Sequence, residues 1–158
     1  MSEYGQLFET DGRYALQFER YFPCTPEEVF RVLTDPEAFV QWYPFANGEM
    51  DLRAGGEITF DDEEGWTYEG VILKLDEPHT FSFQELDDRI DMHVYEKSEG
   101  SRLVFIHTFD RKELANYTAA GWHGSLDVLS QLVRGEPVDR ENDDGVELPE
   151  IYSERFKD

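Results

Sequence analysis

Four histidines, one cysteine and 36 acidic side chains are the groups in this 158-residue chain that could do chemistry. His107 is the best placed of them. In the run Ser101 to Asp110, Leu103, Phe105, His107 and Phe109 fall on one face at strand parity, so the imidazole points inward with its apolar neighbours. There it can orient a ligand, act as acid or base, or bind a metal; the other reading is a ring that fills core volume while a carbonyl or hydroxyl satisfies it. His123 follows Trp122 in a helical stretch, and the two side chains point about 100° apart, so they cannot both face one cavity centre. His123 is expected near the sheet edge or the Thr108–Asp110 turn. A convergence of His107, His123 and Asp110 would assemble an acid–base or metal site, but the spacing matches no compact metal-binding motif. His79, after Pro78, and His93, on the outward parity of its strand, read as surface residues. Cys24 precedes a helix start, which can lower a thiol pKa; filling space beneath that helix is the other reading. Nucleophile-elbow, phosphate-loop and dinucleotide patterns are all missing, and Gly55-Gly56 lacks the strand-to-helix context they need. No catalytic residue, metal ligand or cofactor is therefore assigned.

The elements that must position His107 follow from periodicity and turn chemistry. Residues 1–12 are polar and end in the turn signal Asp11-Gly12. Arg13 to Phe22 alternates as a half-buried strand. Thr25-Pro26-Glu27-Glu28 is a helix start with a capping box, and Asp35-Pro36-Glu37 opens a second short helix that stops before Trp42. Then the period changes to two. Strands are expected at Glu49–Arg53, Glu57–Asp61, Trp66–Leu75, Thr80–Leu86, Arg89–Lys97 and Ser101–Asp110, with hairpin-length connections that make the sheet antiparallel. Gly70 marks a bulge or a close approach. A long helix spans about 113–134, with Tyr117, Trp122, Leu126, Leu129 and Val133 as its apolar stripe and Arg134-Gly135 as its end. An acidic loop at 136–147 and a short closing helix at 148–156 complete a single domain over 1–158. A one-faced sheet of this size needs a cover, and the long helix is the element long enough to supply it.

Composition narrows the partners. The 39% hydrophobic and 15% aromatic content suits a globular core, and no run approaches the length of a membrane span. Fourteen basic against 36 acidic residues give a net charge of −22, which repels nucleic acid and anionic membranes alike. The acidity fits either a solvation adaptation, as to a salty cytoplasm, or an ordinary acidic soluble protein. One cysteine excludes an internal disulfide, and the N-terminus has neither the basic nor the apolar region of a signal peptide, so a cytoplasmic location is expected.

Several stretches together resemble the START-like (SRPBCC) superfamily, in the branch resembling the activator of the heat-shock-protein-90 ATPase. They are Phe22-Pro23-Cys24-Thr25-Pro26-Glu27-Glu28-Val29-Phe30, Leu33-Thr34-Asp35-Pro36, Trp42, Asp51-Leu52-Arg53-Ala54-Gly55-Gly56 and Gly70-Val71-Ile72-Leu73. Leu103 to Phe109 and Ala120-Gly121-Trp122-His123 continue the match, while Glu3-Tyr4-Gly5 and Tyr152-Ser153-Glu154-Arg155-Phe156 look like the ends of one bacterial subgroup.

The resemblance implies an α+β helix-grip fold: a curved antiparallel sheet of about six or seven strands around a long C-terminal helix, with two short helices after the first strand. It also implies a cavity between sheet and helix for an apolar or aromatic small molecule. The expected walls are Trp42, Tyr43 and Phe45 near one mouth, Phe60, Phe81, Phe83, Met92, Phe105 and Phe109 from the sheet, and Trp122 and Leu126 from the helix. His107 is the expected polar anchor; the opposing reading makes these aromatics a filled core. Small-molecule binding is the leading function. A cyclase or hydratase using His107 for proton transfer is one alternative, and a chaperone-associated interaction domain is another. Against the last, one domain takes up all 158 residues and leaves no room for a separate N-terminal domain. A protein partner or a homodimer stays open.

Overall fold

A computed structural model describes residues 4–62, 64–136 and 144–156, with side chains of 144–148 left out. Eight antiparallel strands form one sheet in the order β1-β2-β8-β7-β6-β5-β4-β3. They are β1 (Gln6–Thr10), β2 (Arg13–Phe22), β3 (Ala46–Met50), β4 (Glu57–Asp61), β5 (Thr67–Asp76), β6 (Thr80–Glu85), β7 (Asp88–Lys97) and β8 (Gly100–Phe109). The strand beyond the expected six or seven is β1. It pairs with β2 through Asp11-Gly12, both at positive φ (50° and 81°), the two-residue hairpin that Asp-Gly favours. Its apolar residues, Leu7 and Phe8, are adjacent instead of alternating, so the strand leaves no period-two signal. β3 begins three residues earlier than expected because the chain turns at Phe45.

α1 (Pro26–Thr34) carries the capping box read from the sequence, with Thr25 and Glu28 bonding reciprocally. α2 (Pro36–Trp42) starts on the Asp35 cap and runs through Trp42, where a stop before that residue was expected. A 3-10 turn at Lys112–Leu114 leads into α3 (Ala115–Arg134), which closes on left-handed Gly135. The buried stripe of α3 is Ala115, Ala119, Trp122, Leu126 and Leu129, spaced by four and three. Tyr117 lies two positions from Ala119, nearly on the opposite side, and is 65% exposed. It does not belong to the stripe. α4 (Asp144–Arg155) begins inside the expected acidic loop and contains Pro149; positions 137–143 of that loop lie outside the described residues.

The concave side of the sheet is filled by rings. Phe83 meets Tyr43, Phe39, Phe60 and Phe81 at centroid distances of 5.4, 6.1, 6.3 and 5.3 Å. Each such ring contributes roughly 1.5–3 kcal/mol by burial. Gly70 is a close-approach point, since a Cβ there would sit 2.5 Å from the Gln84 carbonyl oxygen. Among the described residues no helix is long and apolar enough to cross a membrane.

Candidate functional site

One end of the grip is open. A recess of about 240 Å³ with mainly apolar walls lies between the α2–β3 connection, the β6–β7 turn and α3. Tyr43, Pro44 and Phe45 form one lip; Glu85, Leu86 and Asp88 form the other; His107 lies between them, and Thr118, Gly121 and Trp122 face them from α3.

Both lips are built on strained backbone. Phe45 has φ 65° and Leu86 φ 56°, and Asp11 is the other described non-glycine residue with positive φ. The left-handed region is uncommon for bulky side chains. At Phe45 the carbonyl accepts the Asp61 N–H at 2.7 Å, which fixes the reversal and leaves the ring 53% exposed. Leu86 is the first residue of a two-residue turn closing Glu85 against Asp88, a position that glycine ordinarily fills in hairpins with positive φ there. It is 51% exposed.

Beneath the lips sits an ordered chain of polar groups. His107 is buried, at 7% exposure, and lies opposite Ile90 of β7 and Leu16 of β2. The Trp122 indole N–H donates to its Nδ1 at 2.8 Å. Because indole can only donate, Nδ1 carries the lone pair, and the Nε2–H donates to Asp88 Oδ2 at 2.9 Å. Both ring nitrogens are thus occupied. Glu85 accepts from two phenols, Tyr43 at one carboxylate oxygen and Tyr68 at the other, the latter at 2.7 Å. Burial pushes the Glu85 carboxyl up against the lowering effect of those two hydrogen bonds. Burial and the neighbouring Glu85 push both phenols up as well, Tyr43 strongly.

Of the residues singled out in the sequence, Tyr43, Phe45, His107 and Trp122 border the recess. Trp42, Phe60, Phe81, Phe83, Met92, Phe105, Phe109 and Leu126 lie in the packed core behind it. The division has a physical cause: Phe39 from α2 stacks on Tyr43 at 4.7 Å and reaches Phe81 and Phe83, filling the volume that a deeper cavity would need. Phe105 supports the recess from below, 4.8 Å from the Trp122 ring.

His123 takes no part. Its Nδ1 is 2.9 Å from the Tyr152 hydroxyl, which also accepts the Gly5 N–H at 2.8 Å, so this ring ties α3 to α4 and the N-terminal segment. Asp110 pairs with Arg13 at 2.6 Å. Among the described residues no group of three or more histidine, cysteine or acidic side chains is arranged to hold a metal. The Cys24 thiol is not activated: burial, with Glu28 nearby, pushes it up, and Sγ lies 3.8 Å from the Val133 carbonyl oxygen. Sequence reasoning missed Glu85, Leu86 and Asp88, which read as a strand end and a charged turn. The available signal was the apolar Leu86 at a hairpin tip among acidic neighbours.

Comparison with known proteins places this architecture. The family model described as activator of Hsp90 ATPase homolog 1-like protein matches residues 23–134. A conserved protein of unknown function from Enterococcus faecalis superposes with a TM-score of 0.82 at 18% identity, covering 96% of this chain and 90% of that one. CalU16 from Micromonospora echinospora gives 0.73 at 20% identity, covering 97% and 92% respectively. DynU16, from the dynemicin biosynthetic locus, gives 0.66 at 17% identity over 82% of this chain and 50% of that one. At such identities the likeness is one of fold alone. No curated protein matches the chain.

Proposed function

The chain belongs to the activator of Hsp90 ATPase homolog 1-like family, and on that footing we propose that it binds a small apolar or aromatic molecule in the recess at the mouth of the grip. The observation that carries this reading is the pair of exposed apolar side chains, Phe45 and Leu86, held in left-handed backbone on opposite lips of one aromatic pocket. Strain of this kind costs on the order of 1–3 kcal/mol per residue and collects at ligand clamps. At about 240 Å³ the recess falls below the roughly 300–1,000 Å³ of drug-sized sites, so a one-ring or small bicyclic molecule is the fitting occupant. The geometry disfavours proton transfer by His107. A general base needs a nitrogen within reach of the substrate, and here Trp122 and Asp88 hold both.

A thermal-shift titration tests the reading. A neutral bicyclic probe such as 1-naphthylmethanol should raise Tm in a concentration-dependent way, because a ligand at about 100 times its Kd stabilises by about 2.7 kcal/mol. Gly121→Leu supplies the control: Gly121 lines the recess and a Cβ there meets nothing within 4 Å, so the substitution adds apolar bulk at the recess wall. The rise should vanish in that variant. No rise in the wild type, or an equal rise in G121L, would sink the proposal.

A further inference from the structure

We propose that the recess selects an organic cation: a protonated amine carried on a small aromatic or apolar body. This rests on the ligand-binding reading above and adds the charge of the ligand. Three features of the site converge on it.

First, the charged side chains at the recess are both carboxylates, Glu85 and Asp88, and no lysine or arginine is among its described lining residues. Arg13 reaches the same turn, donating to the Asp87 carbonyl at 2.8 Å, but its guanidinium is ion-paired with Asp110 at 2.6 Å. Apart from His107, whose N–H is already given to Asp88, the two carboxylates face no basic side chain among the described lining residues.

Second, the hydrogen-bonding capacity left over is acceptor capacity. The donors are committed: the Trp122 N–H to His107, the His107 N–H to Asp88, and the phenols of Tyr43 and Tyr68 to Glu85. Each carboxylate offers about four lone-pair directions, of which Glu85 uses two and Asp88 one. Among the described side chains lining the recess, an anionic or purely accepting ligand would meet the Thr118 hydroxyl alone as an uncommitted donor. A ligand ammonium, with three donors and no acceptor, is the complement.

Third, the remaining wall is aromatic. Tyr43, Phe45 and Trp122 line it, aromatic rings attract a cation through their quadrupoles, and Tyr43 and Trp122 lie 5.2 Å apart at a 53° tilt, a corner and not a flat stack. His107 acts here as a positioning residue. It fixes the Asp88 carboxylate from behind, while the two phenols do the same for Glu85. Burial pushes Glu85 up, and a bound cation would offset the cost of its charge.

The test uses three probes that share one naphthyl body and differ in charge: 1-naphthylmethylamine, 1-naphthylmethanol and 1-naphthoate. Binding is measured by calorimetry at neutral pH in about 0.15 M salt, where long-range attraction to the −22 net charge is largely screened. The amine is expected to bind at least about tenfold more tightly than the alcohol, with naphthoate weakest. Asp88→Asn and Glu85→Gln should each lower the affinity of the amine by more than that of the alcohol. Gly121→Leu should abolish binding of both. Equal or tighter binding of the alcohol or naphthoate would overturn the cation inference and leave the binding site standing. Amine binding that survives G121L, or that D88N and E85Q both leave unchanged, would assign it to the acidic surface and also overturn the inference. If none of the three probes binds, both readings fail together.

Discussion

At the scale of single residues, Glu85 carries the clearest chemical consequence. Its carboxyl is pushed up by burial, faced by the Tyr43 and Tyr68 phenols and within the field of His107 and Asp88. A carboxyl whose pKa rises on folding holds its proton more tightly in the folded state. Its contribution to stability is therefore fully present below the unfolded carboxyl range and is lost as pH rises through the folded value. Glu85→Gln removes that dependence and leaves the other acids common to both proteins. The Tm of the wild type minus that of E85Q should accordingly become more positive as pH is lowered from about 7 to about 4, across the ordinary carboxyl range; a flat or opposite trend contradicts the assignment. The Cys24 thiol, also pushed up, should be alkylated by iodoacetamide at neutral pH more slowly than free cysteine, and an equal or faster rate would contradict its placement. What the sequence could reveal at this scale was parity. Alternation along Ser101 to Asp110 sufficed to turn His107 inward, whereas Glu85 and Asp88 reach it only through the β6–β7–β8 register, which no local pattern encodes.

At the scale of elements, the strained β6–β7 turn and the glycines of α3 mark where stability has been given up. Leu86→Gly relieves a left-handed side chain at a hairpin position made for glycine. The gain is partly cancelled by the greater freedom of glycine in the unfolded chain, so stability should stay level or rise by up to about 1 kcal/mol. Probe affinity should fall. A large destabilisation, or unchanged affinity, would contradict a clamping role for this turn. In α3, Gly121 has open space where a Cβ would go, so Gly121→Ala should stabilise the helix by roughly 0.5–1 kcal/mol, read as a higher Tm. The helices were legible in the sequence because their ends are written in side chains: the Thr25–Glu28 box, the Asp35 cap and Gly135 each stand where a backbone group needs them. β1 was illegible because an edge strand with five mostly exposed residues buries too little to impose a pattern. The filling of the grip was illegible for another reason. Inward parity reads the same whether a ring lines a void or meets another ring, and only the arrival of Phe39 from α2 decides it.

At the scale of the whole molecule, the eight-stranded sheet and α3 form a scaffold whose interior is packed and whose mouth is not, which separates what holds the fold from what meets a ligand. The net charge of −22 acts on the whole chain. Self-repulsion at that charge is screened by salt, so Tm should rise from low salt to about 1 M potassium chloride; an unchanged or lower Tm would contradict a stability limited by repulsion. The site itself is best interrogated by a two-dimensional proton–nitrogen NMR titration with 1-naphthylmethanol. The Trp122 indole N–H, hydrogen-bonded to His107, and the Gly121 amide should shift together and saturably, while the amide of Gly135 at the far end of α3 stays in place. Saturable shifts centred instead on the Gly5 amide, beside a separate recess lined by β1, Tyr14, Lys112, Arg155 and Phe156, or no saturable shift at Trp122 and Gly121, would contradict a ligand site at the mouth of the grip.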